Sequence, residues 1–251
     1  MSIRIVMAGI SHPGNIGSAA RAMKTMGLEQ LCLVAPERFP ATEATVLAAG
    51  ADDVLDRARV FPDVRSAVAD CGFVVGTTAR SRHLPWRTVE PREAAREIAT
   101  ASWAGEVAVV FGAERTGLTN EDLELCQALV TIPTGSVYAS LNVAMAVQVI
   151  AYEIRLALRD EPPDSGRNAG VPLACARDME QFYLHLEQVL EEIEFRDRTG
   201  EGHLMARIRR MFNRVVPDQN EINILRGILT AVQGKRRRAG DPHATRPGPL
   251  P

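Results

Sequence analysis

Short apolar segments alternate with amphipathic ones along the first two thirds of the chain. Five segments are nearly continuous in apolar character, at residues 3–9, 31–35, 73–76, 107–111 and 129–132. Such segments are typical of strands that are buried on both faces of a parallel sheet. Apolar residues at helical spacing lie between them, over residues 16–26, 41–50, 63–69, 91–101 and 121–127. The alternation predicts an α/β fold, a mostly parallel sheet with helices on both faces.

The last third of the chain has a different pattern. A long apolar helix is predicted over residues 141–158, and the proline, glycine and polar residues of 160–173 are typical of a linker. Helical periodicity returns over residues 174–194, 202–215 and 219–233. We therefore predict four parts, namely an α/β domain at 1–159, a linker at 160–173, a small all-helical domain at 174–234 and a flexible basic tail at 235–251.

The composition is that of a globular protein. Hydrophobic residues make up 46% and charged residues 24% of the 251 residues, which excludes a disordered, collagen-like or coiled-coil chain. The four cysteines form no CxxC pair, and the five histidines show no metal-ligand spacing. This usage argues against a zinc site or a disulfide framework and suits a reducing cytosol. We expect a cytoplasmic protein without a metal ion.

One stretch resembles a membrane span by length alone. Residues 125–152 carry no formal charge, but Pro133, Gly135 and Asn142 interrupt them. A buried strand, a loop and a buried helix explain the stretch better than a membrane helix does. The amino terminus also lacks the pattern of a signal peptide, so no membrane association is expected.

Charge is unevenly distributed along the chain. The formal net charge is −2, yet residues 203–238 contain nine Lys and Arg against Asp218 and Glu221, a local net charge of +7. A basic patch of this kind favours contact with nucleic acid. A solvated helix face followed by a charged tail would produce the same count, so the charge alone leaves both interpretations open.

The segment after the first predicted strand combines a glycine-containing turn with the start of a helix, SHPGNIGSAARAMKTMG at residues 11–27. Free backbone N–H groups at such a position can bind an anion. Asn15 is predicted to cap the helix and Gly27 to end it. Arg21 and Lys24 share one helix face, which favours a phosphate-facing role over a merely solvated one.

Three further loops follow predicted strands, at residues 76–80, 112–118 and 133–142. The carboxyl ends of parallel strands are where open α/β sheets place their ligands, so the loops predict a ligand crevice. The chain has no GxGxxG after its first strand and no P-loop, which removes the main support for a dinucleotide or nucleoside triphosphate site. Glu114 has no acidic partner nearby and is interpreted as a structural or ligand-orienting carboxylate.

These segments resemble the three motifs of the SPOUT methyltransferases: residues 11–27, FGAERTGLTNEDL at 111–123 and YASLNVAMAVQVIAYE at 138–153. AGADDVL at 49–55, VVGTTARSR at 74–82, FYLHLEQVL at 182–190 and INILRGIL at 222–229 resemble the TrmJ branch of tRNA 2′-O-methyltransferases. The resemblance implies a carboxyl-terminal trefoil knot that holds S-adenosylmethionine, and an obligate homodimer. It also implies methylation of the ribose of cytidine or uridine 32 in the tRNA anticodon loop.

The resemblance also implies roles for individual residues. The catalytic positions are Arg21, Asn15 and Ser140. The cofactor positions are Thr77, Thr78, Ala79, Gly112, Glu114, Ile132, Ala139, Ser140, Leu141 and Asn142. Together with the basic patch, it predicts RNA contacts by Arg21, Lys24, Arg207, Arg209, Arg210 and Arg214. Gly112 is expected to be where the backbone approaches the ligand closely.

An arginine is a poor general base because its guanidinium stays protonated near neutral pH, so Arg21 is expected to clamp a phosphate and polarise the ribose hydroxyl. Two alternatives compete with this function: another SPOUT branch acting on a different ribose, and a non-catalytic RNA-binding module of the same ancestry. The presence of Asn15, Arg21, Glu114 and Ser140 argues against the second.

Overall fold

A computed structural model describes residues 2–79, 86–135, 140–159, 171–195 and 203–239, with side chains as far as residue 234. Three predictions fall wholly or largely outside this range. They are the cofactor role of Ala139, most of the linker at 160–173 and most of the basic tail at 235–251.

The centre of the molecule is a seven-stranded sheet in which every pairing is parallel. The strands are β1 (Ser2–Ala8), β2 (Gln30–Val34), β3 (Arg59–Phe61), β4 (Phe73–Thr77), β5 (Thr88–Val89), β6 (Glu106–Phe111) and β7 (Ala128–Val130). Their spatial order is β3-β2-β1-β6-β4-β7-β5. The predicted parallel α/β class is therefore confirmed.

Ten helices surround or follow the sheet in the described part of the chain. They are α1 (Pro13–Met26), α2 (Thr42–Ala48), α3 (Asp52–Asp56), α4 (Val64–Val68), α5 (Pro91–Ser102), α6 (Asn120–Glu124), α7 (Val143–Ala157), α8 (Ala176–Glu192), α9 (Leu204–Val215) and α10 (Gln219–Ala239). The sequence pattern missed β3, β5 and α3. They have five residues or fewer, and β3 and β5 lie at the two edges of the sheet, so none has a long periodic pattern.

Two separate apolar layers cover the sheet. Alternate residues of β1 point to opposite faces: Ile5 packs in the layer that includes α1, α5 and α7, and Val6 packs in the layer that includes α4. Both side chains are fully buried. Because both faces are covered, the central strands are mostly apolar, as the sequence pattern indicated.

Helices α8, α9 and α10 share a core of their own, which includes Phe182, Tyr183 and Ile222. The rings of Phe182 and Phe212 meet edge to face with centroids 4.9 Å apart. Helix α10 continues to Ala239, so its backbone extends into the segment predicted as a flexible tail. No helix in the described ranges is long and apolar enough to cross a membrane.

The helical part contacts the α/β part at defined points. The Asn213 side chain is buried and donates to the backbone oxygens of Glu124 and Cys126, at 3.0 Å each. The Ala176 backbone N–H donates to the Cys71 oxygen at 2.9 Å. These bonds hold α8 and α9 beside the loops around α6 and α4.

Candidate active site

The three predicted loops meet at one edge of the sheet. Strands β6, β4 and β7 are neighbours, and the residues at and after their carboxyl ends enclose a cavity of about 160 Å³. Eight residues that were predicted to bind the cofactor line it, namely Thr77, Thr78, Ala79, Gly112, Glu114, Ile132, Ser140 and Leu141. Phe111, Leu118, Val130 and Val143 add apolar wall that the sequence reasoning did not single out. Phe111, Leu118 and Val143 lie inside the quoted motifs and Val130 lies in β7, so membership of a motif was the signal available for three of the four.

Gly112 has a structural role within its own loop. A Cβ atom at this position would lie 2.3 Å from the backbone of Gly117 and Leu118, so the close approach is made by the loop's own backbone. The loop turns back through a hydrogen bond from the Gly117 N–H to the Ala113 oxygen at 2.8 Å, with Gly117 at φ +70°. Glycine at 112 therefore shapes the cavity wall whether or not a ligand is bound.

A chain of hydrogen bonds joins this loop to the starts of α1 and α7. Asn15 Nδ2 donates to Glu114 Oε1 at 2.9 Å, and Asn142 Nδ2 donates to Asn15 Oδ1 at 2.9 Å. The Ser11 backbone N–H and hydroxyl donate to Glu114 Oε2 at 3.4 and 3.3 Å. Asn15 and Asn142 do not line the cavity themselves, but they fix the Glu114 carboxylate at its wall.

Glu114 is held in its ionised form. Burial alone would raise the pKa of this carboxyl, but hydrogen bonds from Asn15 and from the backbone of Ser11 and His12 outweigh burial and hold the pKa below its usual range. A carboxylate with a lowered pKa is a weak proton acceptor at neutral pH. The geometry thus fits an orienting carboxylate better than a general base.

Helix α1 begins earlier than predicted. Its N-cap residue is His12, with Pro13 in the first turn, so the prediction that Asn15 caps the helix is wrong. Proline is favoured in this turn because it needs no hydrogen-bond partner for a backbone N–H. The Asn15 side chain does not cap the helix and donates a hydrogen bond to Glu114 instead. Gly27 does end the helix in the left-handed conformation, as predicted.

The two cations of α1 have different surroundings. Arg21 lies on the exposed face of the helix, outside the cavity lining. Lys24 donates to Asp53 Oδ1 at 2.6 Å and to the Gly50 oxygen at 2.9 Å, and so ties α1 to the segment around α3. The RNA contacts assigned to Arg21 and Lys24 stay predictions, and Lys24 already has intramolecular partners.

The four arginines predicted on α9 also divide into two groups. Arg207, Arg210 and Arg214 line a second cleft next to β5 and β7. Arg209 lies away from that cleft and forms a salt bridge to Glu180 at 2.7 Å, with only 13% of its side chain exposed. The structure therefore brings three of the four together.

The cysteines are unsuited to redox chemistry. Cys32, Cys71 and Cys126 are buried. Burial raises the pKa of the Cys71 thiol to about 12 and raises the pKa of the Cys126 thiol even more. A thiolate is therefore disfavoured at either position. Within the described ranges, no three His, Cys, Asp or Glu side chains lie close enough together to share a metal ion.

Two family models match this chain, and both describe methyltransferases. The SpoU rRNA methylase family model matches residues 2–152, and a model described as the tRNA methyltransferase TrmJ C-terminal domain matches residues 177–243. The chain is 47% identical over 235 residues to the tRNA (cytidine/uridine-2′-O-)-methyltransferase TrmJ of Yersinia enterocolitica, covering 92% of this chain and 91% of that protein.

Two further relatives agree with this match. The tRNA (cytidine/uridine/adenosine-2′-O-)-methyltransferase TrmJ of Pseudomonas aeruginosa is 47% identical over 92% of this chain and 93% of its own length. The crystal structure of TrmJ from Z. mobilis superposes with a TM-score of 0.79 at 34% identity, covering 93% of this chain and all of that one. The chain therefore belongs to the SpoU methylase family and, within it, to the TrmJ branch of 2′-O-methyltransferases.

Proposed function

We propose that this protein transfers a methyl group from S-adenosylmethionine to the 2′-hydroxyl of nucleotide 32, a cytidine or uridine, in the anticodon loop of tRNA. The observation that carries the proposal is the meeting of three strand-end loops at one cavity, with Glu114 of that cavity hydrogen-bonded to Asn15. Asn15 and Arg21 lie on the same helix, so the cavity and the exposed arginine belong to one rigid unit.

The chemistry of the cavity lining suits this cofactor. Apolar side chains such as Ile132, Leu141 and Val143 can cover the faces of an adenine ring, and hydroxyls and backbone groups at Thr78 and Ser140 can meet polar atoms. When bound, S-adenosylmethionine supplies an electrophilic methyl group on a sulfonium. The ionised Glu114 adds negative charge to the same wall.

The residues of the chain supply positioning. Glu114, Asn15 and Asn142 hold the loop, α1 and α7 in one arrangement, which fixes where the α1 face lies relative to the cavity. From that face the Arg21 guanidinium clamps the phosphate beside the target ribose and polarises its 2′-hydroxyl. Methyl transfer is an in-line displacement, so alignment of this kind supplies much of the rate enhancement.

We also propose that the protein works as a homodimer whose α7 helices meet. Met145 and Tyr152 on α7 are exposed by 61% and 49%, and Leu141 precedes the helix with a partly exposed side chain. An apolar strip on a central helix is typical of an interface. In such a dimer each active site combines both protomers: the cavity of one protomer is completed by the α1 face of its partner, and the bonds among Glu114, Asn15 and Asn142 fix that face within each protomer.

The proposed domain assignment follows the four predicted parts. Residues 1–159 form the catalytic domain, its carboxyl-terminal part threads into a trefoil knot around the cofactor, and residues 174–234 form a helical domain that supports tRNA binding. The separate apolar core of α8, α9 and α10 supports this division. We also propose a cytoplasmic location and a methyl transfer that needs no metal ion.

The test is methylation of an unmodified tRNA transcript with labelled S-adenosylmethionine, followed by mass spectrometry of the digested RNA. We expect one ribose methyl at nucleotide 32. A matched transcript with a 2′-deoxy nucleotide at that position has no nucleophile and should stay unmethylated. A methyl group at another ribose would assign the protein to a different branch, and absence of cofactor binding by calorimetry would favour the non-catalytic RNA-binding alternative.

A further inference from the structure

A second cleft lies where the helical part contacts the α/β part. It measures about 260 Å³, and eight residues line it: Trp86, Arg87, Cys126, Gln127, Arg207, Arg210, Asn213 and Arg214. Four of these eight are arginines and none is acidic. Arg87 is paired with Glu93 and Glu97, so the positive potential comes from the three arginines of α9, and an anionic ligand suits the cleft better than an apolar one.

The spacing along α9 explains why three arginines face this cleft. Arg207, Arg210 and Arg214 are related by i, i+3 and i+7, which places them on one side of a helix. Arg209 is two positions from Arg207 and points to the other side. A cation count along the chain cannot make this distinction.

Arg209 has a structural role on that other side. Its guanidinium forms two hydrogen bonds with the Glu180 carboxylate, at 2.7 and 3.0 Å, and lies 4.4 Å from the centre of the Tyr183 ring. Burial lowers the pKa of Arg209, but the Glu180 carboxylate more than compensates, so the pKa is raised overall. Arg209 therefore connects α9 to α8, whereas Arg207, Arg210 and Arg214 line the cleft.

The walls of the cleft are held in place without a ligand. Asn213 fixes α9 by its two bonds to backbone oxygens, and its Oδ1 accepts from the Tyr183 hydroxyl at 3.3 Å. Across the cleft, the Arg87 guanidinium is paired with Glu97 and Glu93 of α5. A preformed site loses little conformational entropy when it binds.

We propose that this cleft binds the sugar-phosphate backbone of tRNA, with Arg210 and Arg214 contacting phosphates and Trp86 available for stacking on a base. The proposal rests on the proposed function for the identity of the RNA. Arginine is well suited because its planar guanidinium binds phosphate oxygens in pairs. The cleft thus gives tRNA one continuous contact from the α/β part to α9, which neither part forms alone.

Intrinsic fluorescence can report on the cleft directly. The chain has two tryptophans, and Trp103 lies exposed at the end of α5, away from the cleft lining. In a Trp103→Phe protein, emission comes from Trp86 alone. We expect tRNA without any cofactor to change this emission at micromolar concentration, and inorganic phosphate to do so only at far higher concentration. Phosphate binding as tight as that of tRNA would overturn the proposal in favour of a small-anion site.

A pair of double variants in this background tests the charges. Arg210→Ala/Arg214→Ala should weaken tRNA binding about tenfold or more, and the slope of log affinity against log salt should become shallower by roughly 1 to 2. The control, Arg92→Ala/Arg96→Ala, removes two exposed arginines of α5 and should leave both quantities nearly unchanged. Equal effects of the two double variants, or none, would overturn the proposal.

The readouts separate this inference from the proposed function. Binding is measured without methyl transfer. A protein that methylates no tRNA could therefore still show weaker tRNA binding in the Arg210→Ala/Arg214→Ala variant. Conversely, that variant could methylate nucleotide 32 and bind tRNA as tightly as the parent. This result would support the proposed function and contradict a role of the cleft in tRNA binding. Cofactor affinity by calorimetry should be the same in all these proteins.

Discussion

Asn142 donates from its Nδ2 to the Oδ1 of Asn15 at 2.9 Å, across 127 positions of the chain. The same Asn142 side chain accepts from the Ala144 backbone N–H at 2.9 Å and so caps α7. One residue thus begins the long helix and connects it to α1. The proposed interface and the proposed catalytic face are therefore coupled through a single side chain.

The two roles of Asn142 can be separated by substitution. Asn142→Asp retains a capping oxygen but loses the donor to Asn15, so a carboxylate oxygen would face the Asn15 Oδ1 acceptor. We expect nearly normal stability and a decrease in kcat/KM of roughly tenfold, about 1.4 kcal/mol of transition-state stabilisation. Asn142→Ala should lose about 1 kcal/mol of unfolding free energy in addition. Equal stabilities of the two variants in urea would contradict the capping role.

Arg21→Ala should separate folding and cofactor binding from catalysis. The side chain is exposed, so the free energy of unfolding should change by less than about 0.5 kcal/mol. Cofactor affinity by calorimetry should be unchanged, while single-turnover methyl transfer falls by roughly a hundredfold or more. Arg21→Lys keeps the charge but not the paired donors, and should recover only part of the rate. Near-normal turnover in Arg21→Ala would remove this residue from the mechanism.

Gly112→Ala should distort the loop that forms the cavity wall. Its Cβ would lie 2.3 Å from backbone atoms, so the loop must move, and we expect a loss of about 2 kcal/mol or more in unfolding free energy together with weakened cofactor binding. Gly105→Ala is a matched control, because Gly105 precedes β6 outside the cavity lining and a Cβ there meets no described atom within 4 Å. Calorimetry and chemical denaturation of both proteins check the prediction. Similar behaviour of the two would show that the Gly112 loop adapts without cost.

The stability of the sheet should depend on an ion pair at its amino edge. Arg4 is buried, and its two terminal nitrogens donate to the Asp70 carboxylate at 2.7 and 2.9 Å. These hydrogen bonds outweigh burial and lower the pKa of Asp70. A carboxyl whose pKa is lowered in the folded state contributes its full stability at pH values above its unfolded-state pKa of about 4. This contribution is lost as the pH falls through the folded-state pKa.

We therefore expect Asp70→Asn to be less stable than the parent protein at pH 7 by about 1 kcal/mol, a modest figure because the carboxylate is half exposed. The difference should shrink when denaturation is repeated at pH values below about 4. Thr45→Val, at an exposed position of α2, provides a control whose difference in stability from the parent should not depend on pH. A pH-independent difference for Asp70→Asn would contradict the assigned ion pair.

The proposed dimer can be tested on the α7 surface. Met145→Glu/Tyr152→Glu places two charges on the apolar strip, and we expect sedimentation to show a monomer of 27.3 kDa with little methyl transfer. Val60→Glu is the control, since Val60 is comparably exposed but lies on the edge strand β3. It should leave the dimer intact. Retention of the dimer in the α7 variant would place the interface elsewhere.

The local pattern of apolar and polar residues was sufficient to predict most strands and helices of this protein. Continuous apolar character predicted five of the seven strands, and helical spacing predicted every helix of the described residues except α3. These signals succeed because burial on one or both faces imposes a period that is visible within one element. Resemblance in the motifs around Asn15, Glu114 and Asn142 identified the family before any contact was known.

The tertiary structure alone decided which side chains meet. Asn15 was expected to cap a helix, but the fold brings it to Glu114, 99 positions away, and its side chain bonds there instead. Arg209 and Arg210 are adjacent and alike in sequence, yet one is braced by Glu180 and the other lines a cleft. The physical reason is that periodicity reflects only whether a position is covered, whereas the partner that covers it is set by packing between distant elements.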